Sequence, residues 1–164
     1  MIEVYHYLAP LFIIRIFMKK ILGRTDIIDF PKLKLYNVNV KIDTGAYTSA
    51  IHCSSIMERD GKLHCIFDPM DDKSHKEQSI VFDNYSLTDV KSSNGHRENR
   101  FKIKTEVIFF GKQYNINLTL STRDDMKYPV LIGRQFLSKK FLVDVDLVNQ
   151  SFNHTINEYS NSLT

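Results

Sequence analysis

Residues 41–50 read Lys-Ile-Asp-Thr-Gly-Ala-Tyr-Thr-Ser-Ala, and the reading turns on Asp43-Thr44-Gly45. Upstream, Val38, Val40 and Ile42 alternate as a half-buried strand does. The triplet then places a carboxylate on a tight loop. Thr44 brings a hydroxyl that can hold its neighbours, and Gly45 lets the backbone turn where a Cβ would crowd it. Asp-Thr-Gly is also an ordinary turn sequence, so the triplet alone decides nothing. Its chemical use is acid–base work on water, which takes two carboxylates, one as general base and one as general acid. The chain has one Asp-Thr-Gly. The second carboxylate must come from a twin across a two-fold axis.

Some ninety residues on, Pro129-Val-Leu-Ile-Gly133-Arg134-Gln-Phe-Leu137 joins an apolar run to Gly-Arg and a short helical stretch. With that second motif the chain resembles the bacterial retropepsin-like proteins, a family also called ATP-dependent zinc proteases. Three blocks carry the resemblance: 41–53 (KIDTGAYTSAIHC), 92–100 (SSNGHRENR) and 118–144 (LTLSTRDDMKYPVLIGRQFLSKKFLVD). It covers about residues 22–148. It implies an all-β fold, a small closed barrel of the retropepsin type with one short helix near the C-terminal end. It implies an aspartic endopeptidase acting as a homodimer, with Asp43, Thr44 and Gly45 catalytic. Ala46, Ser49, Ile132, Gly133 and Arg134 would support the active-site loop. The family's usual Asp-Thr-Gly-Ala-Arg has Tyr47 in the Arg place, so a positive charge beside the loop is missing. The family's association with glutamate ligases implies an acidic or glutamylated peptide as substrate.

Length and composition agree. At 164 residues the chain is long enough for a core of its own. A net charge of +3 does not mark a nucleic-acid binder and permits an acidic substrate. Two cysteines, Cys53 and Cys65, make no disulfide framework and suit a reducing cytoplasm. The glycines at 45, 61, 95 and 111 are isolated and form no nucleotide-binding loop.

Residues 1–17 stand apart. The apolar run Tyr7–Met18 is interrupted by Arg15, is short for a bilayer span and lacks a cleavage site, so stable membrane insertion is not expected. A start at Met18 would make 1–17 an extension, 18–150 the folded domain and 151–164 a flexible tail. Within the domain, Lys32–Ile42 alternates with a turn at Tyr36-Asn37. Residues 63–67, 79–82 and 141–145 read as strands. Phe101–Phe109 and Tyr114–Leu120 alternate about Gly111-Lys112 as a hairpin. Short helices are expected near 54–59 and 134–139.

Two basic loops remain. Asn94-Gly95 marks a turn between strands; through the resemblance, His96, Arg97 and Arg100 become substrate-binding groups on a flap. Arg123, in an Arg-Asp-Asp cluster, joins them on the same ground, since a guanidinium suits a carboxylate. For metal, His52-Cys53 and His64-Cys65 offer soft ligands, but the spacing matches no zinc motif and adjacent ligands on a strand diverge. The cysteines read as small core residues. No cofactor is expected. If zinc binds, His52 and His96 are the candidate ligands, and a zinc hydrolase or an idle acidic-peptide-binding domain are the alternative readings.

Overall fold

The computed structural model describes residues 19–67, 77–91, 95, 97–122 and 127–162. The expected extension 1–17 lies outside them. The described chain is mostly β-sheet. Its main sheet has seven strands. In chain order these are β2 (Thr25–Phe30), β3 (Leu35–Asp43), β4 (Ser49–His52), β8 (Ser86–Lys91), β9 (Arg97–Phe109), β10 (Lys112–Ser121) and β11 (Val130–Gly133). They lie side by side as β10-β4-β11-β3-β2-β9-β8, and β9 also pairs with β10, so the pairing comes round on itself. The β2–β9 link in that cycle is a single registered pair, Asp29 with Ile108.

The expected hairpin is there. β9 and β10 run antiparallel from Phe109 opposite Lys112 to Lys102 opposite Thr119. The turn falls on Phe110 and Gly111, both at positive φ, one residue earlier than Gly111-Lys112. Ile103, Val107 and Phe109 face the core from β9, and Ile116, Leu118 and Leu120 from β10. The expected turn at Tyr36-Asn37 is instead a kink inside β3. Asn37 takes a φ of 53° opposite a register shift in β2, and its N–H donates to Asp29 Oδ1 at 2.8 Å.

The stretch 55–59, expected to be helical, is a strand. β5 (Ser55–Arg59), β6 (Lys62–Phe67) and β7 (Gln78–Phe82) form a separate three-stranded antiparallel sheet. Ile56 and Ile80 flank Cys65 on its inner side, and this packing overrides the helical preference of Met57-Glu58-Arg59.

β1 (Lys20–Leu22) and β12 (Phe141–Val143) pair in parallel as a third, two-stranded sheet. Between β11 and β12, the short helix α1 (Arg134–Leu137) buries Phe136 and Leu137. Phe109, Tyr114, Phe136 and Phe141 cluster with ring centroids 5.5–6.0 Å apart. Each of the three buried phenylalanines, Phe109, Phe136 and Phe141, contributes roughly 1.5–3 kcal/mol.

The C-terminal stretch expected to be a loose tail is the helix α2 (Gln150–Ser162). The buried Asp26 carboxylate accepts from the N–H of Ser151 at 2.9 Å and of Phe152 at 3.1 Å, satisfying donors of the first turn. Ser151 Oγ in turn accepts from Phe110 N–H at 2.7 Å.

Candidate active site

Asp43 ends β3. Its strand runs parallel to β11, with Ile42 opposite Ile132 and Asp43 opposite Gly133. On the other side Ile42 N–H donates to Arg24 O, and Arg24 N–H to Leu147 O, each at 2.9 Å. Pairing and bracing together fix where the strand stops and where the carboxylate sits.

Past Asp43 the chain turns on its own side chain. Oδ1 accepts from Gly45 N–H at 3.0 Å and Ala46 N–H at 3.1 Å, the short-range pattern that aspartate favours in turns. A Cβ at Gly45 would stand 3.3 Å from that oxygen, so a side chain there would crowd the carboxylate. The loop's carbonyls point the other way, toward the start of α1. Arg134 Nη1 donates to Thr44 O at 2.7 Å and Gly45 O at 2.8 Å. Backbone N–H groups of Arg134 and Gln135 donate to Ala46 O and Tyr47 O at 2.9 Å. Four consecutive loop carbonyls are thus held by two residues of the helix.

β11 lies between β3 and β4, parallel to the first and antiparallel to the second. The loop joining β3 to β4 therefore crosses the end of β11. Gly133 sits under that crossing, where a Cβ would come within 2.5 Å of Thr48 O and 2.8 Å of Tyr47 O. Ser49 closes the far side. Its Oγ accepts from Gly133 N–H and its carbonyl accepts from Thr119 Oγ1, both at 3.0 Å and both buried. Chemically, the arrangement presents one carboxylate with one oxygen preorganised by two amides, on a loop that has little freedom to move.

Asp43, Thr44, Gly45, Ala46, Ser49, Ile132, Gly133 and Arg134 thus come together. Sequence reasoning missed Arg24, Leu147 and Thr119. Alternation marks Thr119 as no more than a strand residue, and nothing local ties residues 24 and 147 to Asp43.

The proposed substrate arginines are already engaged. Arg97 Nη1 meets Asp89 Oδ2 at 2.7 Å across the β8–β9 pair, and the buried Arg100 pairs through Nε with Glu98 Oε1. His96 and Arg123 lie outside the described residues. His52 is buried at the end of β4, its backbone N–H donating to Pro129 O at 2.8 Å. Among the described residues no three His, Cys, Asp or Glu side chains are grouped to hold a metal. Cys53 and Cys65 are buried free thiols in contact. The shared S–H pulls Cys65 below the ordinary thiol range and pushes Cys53 far above it, while burial raises both. No helix among the described residues is long and apolar enough to cross a membrane.

A probable alpha-L-glutamate ligase from Shewanella pealeana is 34% identical over 134 residues, 77% of this chain and 28% of that protein. One of the same name from Desulfotalea psychrophila is 32% identical over 131 residues, with the same shares covered. The chain therefore spans little more than a quarter of the curated relatives it matches. A Legionella pneumophila protein of unknown function, known from its crystal structure, shares the fold at a TM-score of 0.64. It is 23% identical, and the match covers 80% of this chain and 98% of that one. The family described as RimB-like, retropepsin-like aspartic endopeptidase RimB, matches residues 21–151, and the chain belongs to that family.

Proposed function

We propose that the chain is an aspartic endopeptidase that works as a homodimer, each copy supplying Asp43. The observation that supports this best is the held Asp43 loop, with two amides on Oδ1 and Arg134 drawing back the carbonyls of residues 44 and 45. One Asp43 carboxylate takes a proton from water as the water oxygen adds to the scissile carbonyl. The other, protonated, donates to the carbonyl oxygen. Collapse of the tetrahedral intermediate then breaks the C–N bond, and the amine leaves with a proton. The sheet's cyclic pairing supports a closed barrel of the retropepsin type. The two reduced thiols support a cytoplasmic setting.

The substrate is a glutamate-rich peptide. Support comes from the relatives, in which a domain like this one is part of a longer probable alpha-L-glutamate ligase. A peptidase beside such an activity meets α-linked glutamyl chains. Arg97, largely exposed and bound to Asp89 through Nη1 alone, keeps free donors for such a carboxylate, whereas Arg100 is buried and paired with Glu98.

The test is peptide hydrolysis measured against enzyme concentration, on a glutamate-rich and a neutral peptide, with wild type and Asp43→Asn. The expected result is preference for the acidic peptide, specific activity that falls on dilution, and a loss of roughly 10²–10⁴-fold in the variant. Full activity in a demonstrably monomeric sample would remove the shared dyad. An Asp43→Asn variant that keeps most of its activity would remove Asp43 from the chemistry altogether.

A further inference from the structure

The outer face of the β9–β10 hairpin carries charge that the fold does not use. Ile103 and Thr105 point into the core from β9, so Lys102 and Lys104 point out. Ile116 and Leu118 point inward from β10, so Asn115 and Asn117 point out. In register, Lys104 lies opposite Asn117. Two cavities open on this face and share Asn117. One, of about 90 Å³, is also walled by Ser49, Asn115, Gln135 and Lys140. The other, of about 200 Å³, is also walled by Asn84, Lys102 and Lys104.

No Asp or Glu lines either cavity. The carboxylates beside this face are occupied. Glu106, opposite Asn115, is 2.6 Å from Lys32 Nζ. Asp83, next to Asn84, is 2.9 Å from Lys62 Nζ, and Glu58 accepts from Tyr85 OH at 2.6 Å. Lys102 and Lys104 have no acidic partner among the described residues. The side-chain amides of Asn84, Asn115, Asn117 and Gln135 have no hydrogen-bond partner among them either. Lys140 Nζ donates once, to Phe136 O at 2.8 Å, and keeps two hydrogens.

The smaller cavity is close to the Asp43 loop along the chain. Ser49 is six residues from Asp43, so their Cα atoms are no more than roughly 22 Å apart. Gln135 N–H holds Tyr47 O of the same loop. An extended peptide covers that distance in about six or seven residues.

We infer that this groove takes the acidic chain of a long substrate, with carboxylates held by Lys102, Lys104 and Lys140 while residues further along reach Asp43. The inference rests on the glutamate-rich substrate proposed above and adds a second point of attachment away from the carboxylate pair. The chemistry selects a peptide. Ammonium groups pair with side-chain carboxylates. Each carboxamide offers both a donor and an acceptor, as a peptide group does. A phosphodiester backbone offers acceptors only and would leave the four carboxamide oxygens unmatched.

Hydrolysis of glutamate peptides of about three and about twelve residues tests it. The groove variant is Lys102→Gln with Lys104→Gln. The control, Lys19→Gln with Lys112→Gln, removes the same charge from exposed positions that line neither cavity. The expected result in the groove variant is a KM for the long peptide raised at least about fivefold. Its kcat, its KM for the short peptide and its circular dichroism spectrum should not change, and added salt should shrink the difference. Fluorescence anisotropy on the Asp43→Asn chain should show the same weakening in binding of the long peptide. A groove variant that keeps the wild-type KM for the long peptide overturns the groove while the glutamate preference stands. Equal losses on both lengths overturn it by placing the lysines at the cleft, and equal losses in the control by showing an effect of net charge alone. A wild type that cuts neutral peptides as well as acidic ones removes the substrate reading and the groove with it. Single-stranded DNA that binds more tightly than the long peptide, and is released by the groove variant, replaces the peptide with a nucleic acid.

Discussion

Asp26 shows how one side chain can anchor an element more than a hundred residues away. It is buried and accepts from the N–H groups of Ile27, Ser151 and Phe152. Burial is the larger influence and raises its carboxyl above the ordinary value of 3.8, while the three N–H groups pull it down. A raised value means the folded chain holds the proton more tightly than the unfolded chain. The stabilisation is therefore complete below about 3.8 and is lost as pH rises through the folded value. Asp26→Asn cannot ionise, so its deficit against wild type should shrink in thermal melts as pH rises above about 3.8 and through the raised folded value. A deficit that widens with pH would show the N–H groups winning over burial. Asp26→Ala should cost about 2 kcal/mol or more at any pH, since it strands buried donors of α2. Thr105 offers the opposite case. It points into the core from β9 between Ile103 and Val107, and its hydroxyl has no hydrogen-bond partner among the described residues. Thr105→Val keeps the shape and removes the unpaired group, so it should stabilise by about 1 kcal/mol in denaturant titration. A lower midpoint would mean that the hydroxyl finds a partner in solution.

At the scale of elements, β11 and the Asp43 loop meet in backbone-to-backbone contact. Gly133 has an ordinary φ of −87°, so its need for glycine is steric. The atoms a methyl would strike are backbone carbonyl atoms of Tyr47 and Thr48, which have no rotamer to change. Gly133→Ala should therefore lift the loop, cost about 1–3 kcal/mol and lower peptidase activity more than it lowers the melting point. A variant with wild-type activity would show that the loop's position does not matter to the chemistry. The β5–β6 hairpin carries a local signal that the helix expectation overlooked. Asp60 and Gly61 both take positive φ, the two-residue turn that Asp-Gly favours between strands. α2 had no such signal, because its first turn is capped by Asp26 from β2.

For the molecule as a whole, the three sheets enclose a core that runs from Leu22 to Phe141. A homodimer of folded copies that share Asp43 is linked to folding by mass action. The melting temperature of wild type should therefore rise with protein concentration. Calorimetry over a hundredfold concentration range reads it. A wild-type midpoint that does not move would count against any dimer coupled to the folded state.

The Asp43 loop, the Gly133-Arg134 motif, the β9–β10 hairpin and the family were legible in the sequence because each rests on neighbours in the chain. Alternation at period two, turn glycines and short motifs are local, and the local physics of strand and turn fixes them. Where Arg97 and Arg100 spend their charge was not legible, because Asp89 belongs to another strand and Arg100's burial depends on packing. Nor was the order of α2, whose cap, docking serine contact and inner polar face all depend on residues far off in sequence. Propensity alone leaves a polar, asparagine-rich helix marginal. Tertiary structure supplied the buried carboxylate that made it a helix, and by engaging its polar side left Ile156 and Tyr159 facing outward.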